Sequence, residues 1–217
     1  MSARGLFITV EGGEGVGKST NMNFLEQHLV SHGIDLVVTR EPGGSRLGED
    51  IRQLLLRVRD EGISPMAELL LVFAARAQHI SELIEPALAA GKWVLCDRFT
   101  DATYAYQSGG RGIDISAVGG LEKLVQGQLR PDCTLLLDAP ARLGMARVRE
   151  RGEPDRFELE EIDFFERVRA AYLDLAEQSS GRYRIIDASL PLADVQQQLL
   201  KICSELRTCW GVRHPES

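Results

Sequence analysis

Apolar residues in this chain fall into two kinds of pattern. Five short runs carry concentrated apolar residues: 6–11, 34–39 (IDLVVT), 92–96 (KWVLC), 132–138 (DCTLLLD) and 182–187 (RYRIID). Runs of that length, rich in Val, Ile and Leu, predict strands buried on both faces. Between them apolar positions recur every three or four residues, as with Met22, Leu25, Leu29 and Val30. That spacing predicts helices near 18–32, 47–57, 65–90, 114–128, 140–149, 158–178 and 191–207. Strands alternating with helices predict an α/β fold, a five-stranded parallel sheet with helices on both faces. No repeat, low-complexity tract or dividing linker interrupts the series. Residues 1–217 are therefore expected to form a single domain, with a short frayed tail over 208–217.

Composition refines this picture modestly. With 217 residues, 44% of them hydrophobic and 26% charged, the chain has the make-up of an ordinary globular domain. A net charge of −7 argues against a nucleic-acid-coating surface, so any anion must be held by local clusters. Cys96, Cys133, Cys203 and Cys209 lack zinc-ligand spacing and read as reduced thiols. The opening MSARGLFITV passes straight into a strand without room for a signal peptide, and no apolar run approaches ~20 residues. A cytoplasmic protein with no membrane partner is expected.

One segment carries chemistry by itself. Residues 12–20 read GGEGVGKST and contain G-x-x-x-x-G-K-[ST], from Gly12 to Gly17-Lys18-Ser19, between a predicted strand and a predicted helix. The glycines let the backbone curl so that several N–H groups point at one anion. Lys18 brings positive charge to the β- and γ-phosphates, and the Ser19 hydroxyl is placed to ligate Mg²⁺. Gly12, Gly13, Glu14, Gly15, Val16, Gly17, Lys18, Ser19 and Thr20 are thus expected to bind a nucleoside triphosphate, with the helix N-terminus on the phosphates. In open α/β sheets ligands bind beyond the carboxyl ends of the strands. There stand Arg40-Glu41-Pro42-Gly43-Gly44, Asp97-Arg98-Phe99 and Asp138, the last followed by a helix crowded with Arg142, Arg147, Arg149, Arg151 and Arg156. Singly, each has an ordinary explanation: a helix cap for the Asp, a solvated face complementing the helix dipole for the arginines. Together they converge on one rim beside the phosphate loop.

With these segments the chain resembles the thymidylate kinases of bacterial type. The resemblance is carried by FITVEGGEGVGKST (7–20), TREPGGS (39–45), DRFTDATYAYQSGGRGI (97–113) and RERGEPDRFE (149–158), in the family's order and spacing, and it covers residues 5–200. It implies a P-loop NTPase fold of the nucleoside monophosphate kinase type, with a mobile lid at about 147–157. It also implies ATP-dependent, Mg²⁺-assisted phosphorylation of dTMP to dTDP in dTTP biosynthesis, by a homodimer.

The family's roles carry over position by position. Lys18 and the loop amides would hold the donor, with Ser19 and Asp97 as Mg²⁺ partners. Arg98 and Arg52 match the clamp on the acceptor phosphate, where a planar guanidinium binds bidentately. Glu14 matches an acid that approaches the 3′-hydroxyl of dTMP, and Glu41 and Pro42 border the same nucleotide. Arg76 would donate to a thymine carbonyl, Thr103 would bond N3, and Gln107 would reach the base edge. Tyr106 matches a ring beneath the sugar that leaves no room for a 2′-hydroxyl. Phe73 is the stacking candidate, although relatives commonly place that Phe four residues before the Arg, where Val72 stands here: either the helix rotates slightly, or Val72 lines the pocket and Phe73 packs in the core. Ala102 replaces a frequent Ser. Arg149 and Arg151 of the lid are the catalytic candidates beside Lys18, Arg98 and Glu14, while Arg147 would stack on adenine. Some members carry an arginine in the loop right after the acid. Gly15 stands there, so the work falls on the lid, and an arginine placed at 15 is expected to recover part of a lid mutant's rate.

Two other classes share the phosphate loop. A GTP switch needs N-K-x-D, but the only asparagines are Asn21 and Asn23, inside the first helix. A transporter-type ATPase is echoed by Ser108-Gly109-Gly110 and by Leu135-Leu136-Leu137-Asp138, yet Ala139 stands where that class needs a catalytic Glu, and no His follows before His214.

Overall fold

The computed structural model describes residues 4–58, 61–151, 155–179 and 181–213. Its strands are β1 (Phe7–Glu11), β2 (Leu36–Arg40), β3 (Trp93–Asp97), β4 (Cys133–Asp138) and β5 (Tyr183–Asp187). All pair in parallel, in the order β2-β3-β1-β4-β5. The connection leaving β1 runs outward to β2, whereas the one leaving β3 crosses to β4. A crevice therefore opens between the carboxyl ends of β1 and β3, where such sheets bind ligands.

Alternation along β1 shows why both faces are covered. Ile8 and Val10 pack on one face with Leu95, Leu135 and Leu137. That face is closed by Met22, Leu25 and Leu29 of α1 (Lys18–Ser31) and Val195, Leu199 and Ile202 of α9 (Leu192–Arg213). Phe7 turns the other way, with Val94 and Cys96, against Ile80, Ile84 and Leu88. Leu136 on the same side meets Phe164, Phe165, Val168 and Tyr172 of α8 (Ile162–Gln178). Each fully buried Leu or Ile contributes roughly 1.5–3 kcal/mol relative to exposure, so the sheet centre holds the fold together.

The remaining helices are α2 (Arg46–Leu56), α3 (Pro65–His79), α4 (Glu85–Ala89), α5 (Thr100–Thr103), α6 (Ile115–Gln126) and α7 (Ala141–Arg151). The helix expected over 65–90 is interrupted by a π-helical turn, Ile80–Ile84, between α3 and α4. Pro86 accounts for it: the ring has no N–H to donate and crowds the carbonyl four residues back, so the ladder widens. The segment after β3 is also helical, α5 leading into a second π-helical stretch, Tyr104–Gly110. Its Ser108-Gly109-Gly110 composition masks this in the sequence. At the far end α9 continues through Arg213, and Trp210 sits edge-on to Trp93 with ring centroids 5.6 Å apart. The tail is thus helical to 213 where fraying was expected; 214–217 lie outside the described residues. Among the described residues no helix is long and apolar enough to cross a membrane.

Candidate active site

A cavity of about 520 Å³ lies beyond β1, β2 and β3, within the range of small-molecule sites. The phosphate loop forms one wall. Gly12 has φ 138°, and a Cβ there would stand 2.4 Å from the Leu137 carbonyl oxygen. Gly15 has φ 68°, and its Cβ would stand 1.9 Å from the carbonyl oxygen of Gly144 in α7. Backbone against backbone leaves no space for a side chain at 15 unless α7 or the loop shifts, which counts against the expectation that an arginine placed there could help. Lys18 opens α1; its Nζ donates to the carbonyl oxygens of Gly12 at 3.2 Å and Gly13 at 2.7 Å. Burial, then the Arg98 charge, lowers its pKa, against Glu14, Asp97 and Glu11. A polyphosphate in the loop would favour the charged ammonium. Ser19 and Thr20 line the same cavity and are exposed.

Asp97 ends β3 with its Oδ1 buried and without a hydrogen-bond partner. An orphaned carboxylate oxygen facing a phosphate loop is costly unless a cation meets it. Ser19 and Asp97 thus fit Mg²⁺, which takes one or two protein groups plus phosphate and water. Among the described residues no group of three or more His, Cys, Asp or Glu could hold a metal ion.

Arg98 adopts φ 69°, a strained backbone for a non-glycine. The next N–H, that of Phe99, donates to Glu11 Oε1 at 2.7 Å and so pins this turn. Its guanidinium is held on four sides. Nη2 donates to Glu14 Oε1 at 2.6 Å and to the Tyr106 hydroxyl at 2.9 Å; Nη1 donates to the Gly12 carbonyl at 3.0 Å and the Tyr172 hydroxyl at 3.2 Å. Tyr172 in turn donates to Glu11 Oε2 at 2.8 Å. Burial, with Asp101 adding to it, pushes the Glu11 carboxyl up to about 8, against Arg98, Tyr172 and the Phe99 amide. Arg52 lines the cavity beyond, its Nη1 donating to the Pro42 carbonyl at 3.0 Å.

Arg76 anchors the far end. It is almost wholly buried; Nε donates to Glu41 Oε2 at 2.7 Å, and Nη2 donates to the Phe99 carbonyl at 3.1 Å and Thr103 Oγ1 at 2.9 Å. Its Nη1 is buried with no partner, and the residue lines the cavity, so one strong donor is left for a ligand acceptor. The other Glu41 oxygen meets His79 Nδ1 at 3.0 Å, and His79 Nε2 lies 2.7 Å from Thr39 Oγ1. Pro42, Thr103, Tyr106 and Gln107 line the same space, with Ala102. Phe73 does not. It packs with Leu69 and Val118, its ring under the Arg76 guanidinium at 4.8 Å, and Val72 lines the cavity instead. Helix geometry explains the correction: residues four apart share a face, so Val72 sits with Arg76 while Phe73 is turned about 100° away.

Of the residues expected to form a lid, Arg147 lines the cavity and donates from Nη1 to the Ala188 carbonyl at 3.1 Å. Arg149 is exposed on α7, away from the cavity lining. The Arg151 side chain and residues 152–154 lie outside the described residues. Asp138 is occupied by Arg169 through two bonds of 2.7 and 2.8 Å. Sequence reasoning missed Glu11, Glu68, His79 and Tyr172. His79 had a signal, standing three residues after Arg76 on one helix; Tyr172 had none, being brought from α8 by tertiary packing alone.

A thymidylate kinase family model matches residues 10–199 of the chain. The chain is 57% identical to the thymidylate kinase of Teredinibacter turnerae, over 90% of this chain and 95% of the relative. It is 58% identical to that of Pseudomonas fluorescens, over 90% and 93%. Its fold is similar to the crystal structure of thymidylate kinase from Ehrlichia chaffeensis, with TM-score 0.74 and 33% identity, covering 92% of this chain and 99% of that one.

Proposed function

The chain belongs to the thymidylate kinase family, and we propose that its cavity is where ATP phosphorylates dTMP to dTDP, a step of dTTP biosynthesis. The enzyme is a nucleoside monophosphate kinase, and its work is to align two phosphates, neutralise their charge and exclude water. Lys18 and the amides of residues 12–20 hold the donor, with Arg147 beside its adenine. Ser19 and Asp97 would hold Mg²⁺, which would supply charge neutralisation at the donor phosphates. Arg98 and Arg52 clamp the acceptor phosphate, and Glu14 accepts from the 3′-hydroxyl. Arg76, Thr103 and Gln107 read the base over Val72, Glu41 holds Arg76 in place beside Pro42, and Tyr106 fills the space of a 2′-hydroxyl. The lid, about 147–157, closes over the donor and brings Arg149 and Arg151 to the transferring group.

The observation that carries this reading is the unpartnered Arg76 Nη1 at one end of a cavity whose other end is the phosphate loop. A panel of nucleoside monophosphates with ATP and Mg²⁺, scored for diphosphate, tests it. dTMP is the best acceptor, dUMP is weaker by one methyl contact, about 1–3 kcal/mol, and UMP is nearly inert. Equal turnover of UMP or CMP would remove both the base and the sugar assignments.

We also read the chain as a cytoplasmic homodimer in which all 217 residues form one unit. Cys96, Cys133 and Cys203 are buried and free, as suits a reducing compartment. Leu47 and Leu54 lie exposed on one face of α2, and Met66 and Leu70 on one face of the adjoining α3. Such a patch suits a second copy. Sedimentation equilibrium checks this: a monomer at micromolar concentration rules it out.

A further inference from the structure

Glu68 stands on α3 about one and two turns before Val72 and Arg76, on the face that looks toward the cavity, yet it is wholly buried. Three residues converge on it. Gln107 Nε2 donates to Oε1 at 2.9 Å, Arg111 donates from Nε to Oε1 at 3.3 Å and from Nη2 to Oε2 at 3.4 Å, and Arg156 Nη2 donates to Oε2 at 2.6 Å. Two guanidinium groups compensate the buried charge, and a carboxylate between them can only accept. A side-chain amide has one donor end and one acceptor end. Gln107 lines the cavity, so with Nε2 committed to Glu68 it offers the acceptor Oε1 to whatever fills that space.

We propose that Glu68 is a positioning residue for base selection, locking the Gln107 amide with its acceptor end toward the acceptor base. A pyrimidine ring nitrogen that carries a hydrogen, as in thymine and uracil, then finds its acceptor in Gln107 rather than in Thr103, whose Oγ1 already accepts from Arg76 Nη2 at 2.9 Å. The matching nitrogen of cytosine carries a lone pair and meets another lone pair. Together with the free Arg76 Nη1 donor, the pocket presents donor and acceptor in the pattern of an imide edge. Glu68 itself touches no substrate. It acts through Gln107, and Arg156 at the far foot of the lid keeps it in place; Arg156 Nε also donates to the Leu55 carbonyl at 2.7 Å. This rests on the reading of the cavity as the dTMP site.

The test is kcat/KM for dTMP and for dCMP, expressed as a ratio, in wild type, Glu68→Gln, Gln107→Leu and the double variant. A ratio does not depend on how much enzyme folds. A neutral amide at 68 can accept from or donate to Gln107, so the fixed direction is lost. The dTMP/dCMP ratio is expected to fall roughly tenfold to a hundredfold in Glu68→Gln and comparably in Gln107→Leu, with no further fall in the double variant. If Glu68→Gln does not fold, Glu68→Asp keeps the charge between the arginines, withdraws it from Gln107 and is expected to lower the same ratio. Both substrates slowed equally, or losses that add in the double variant, overturn the proposal. A wild type that ignores dTMP overturns the cavity assignment and this inference with it. A selective wild type with an unchanged variant ratio removes only the role of Glu68.

Discussion

Arg98 Nη2 donates to Glu14 Oε1 at 2.6 Å, joining the end of β3 to the phosphate loop. The same guanidinium is braced by Tyr106 and Tyr172, so much of the entropy cost of placing it is met by folding. On the function proposed above, the acceptor phosphate would compete for that planar fork and Glu14 would turn toward a sugar hydroxyl. One ion pair would then link the two ends of dTMP.

Arg98→Ala is expected to raise the KM for dTMP and lower kcat together. Losing a charge-assisted clamp costs on the order of 2–5 kcal/mol, and the phosphate is left loosely aligned. The KM for ATP changes far less. Steady-state kinetics with each substrate varied decide it; an unaltered dTMP response would make Arg98 a purely structural partner of Glu14.

Val72 and Phe73 separate pocket from core. Phe73→Leu is expected to lower stability by about 1–2 kcal/mol while leaving the dTMP KM within roughly twofold. Val72→Ala is expected to raise that KM severalfold, because it removes contact from the cavity wall. Denaturant melts beside kinetics check both. A large KM change in Phe73→Leu alone would restore Phe73 as the base-stacking ring.

Glu11 ties stability to pH. Its carboxyl is pushed up to about 8 by burial and then by Asp101, whereas in the unfolded chain it titrates near ~4.3. Between those values the folded state holds a proton that the unfolded state has lost. The group's contribution is therefore fully present below the lower value and is lost as pH rises toward the upper one. Glu11→Gln keeps an acceptor for the Phe99 N–H and removes the titration. Wild-type melting temperature is expected to fall relative to Glu11→Gln between about pH 5 and about pH 8. A gap that stays constant across that window shows that Glu11 ionises alike in both states.

The strands and the phosphate loop were legible because their signals are local: apolar runs, a glycine pattern, an Asp-Arg at a strand end. The phosphate loop, Glu41, Asp97 and Arg98 stand around one cavity because the parallel sheet brings strand ends together. What stayed hidden depends on tertiary contact. Tyr172 reaches Glu11 from far along the chain, and Glu68 reads as one charge in an apolar helix until Gln107, Arg111 and Arg156 close on it. Phe73 was misplaced by one residue, which on a helix is a quarter turn. The π-helical stretch at 104–110 lay behind glycines that disfavour helix in isolation and are held here by packing, with Gly110 against Phe164.

The lid is expected to supply the transition-state charge. Arg149 is exposed on α7 and away from the cavity lining, so its effect belongs to a closed state rather than to ground-state binding. Arg149→Ala or Arg151→Ala should slow kcat by roughly 10²–10⁴-fold, the range from one electrostatic contact to an arginine finger, with dTMP affinity nearly unchanged. The loop cannot take over. Gly15 has φ 68°, and a Cβ would stand 1.9 Å from the Gly144 carbonyl oxygen, so Gly15→Arg must push α7 away or distort the loop that holds Lys18. Adding Gly15→Arg to a lid variant is therefore expected to recover no rate and to weaken ATP binding as well. Single-turnover kinetics and ATP titrations on the single and double variants check both halves. Partial recovery would show that α7 yields at Gly144, and near-normal kcat in both lid variants would remove the lid arginines from the chemistry.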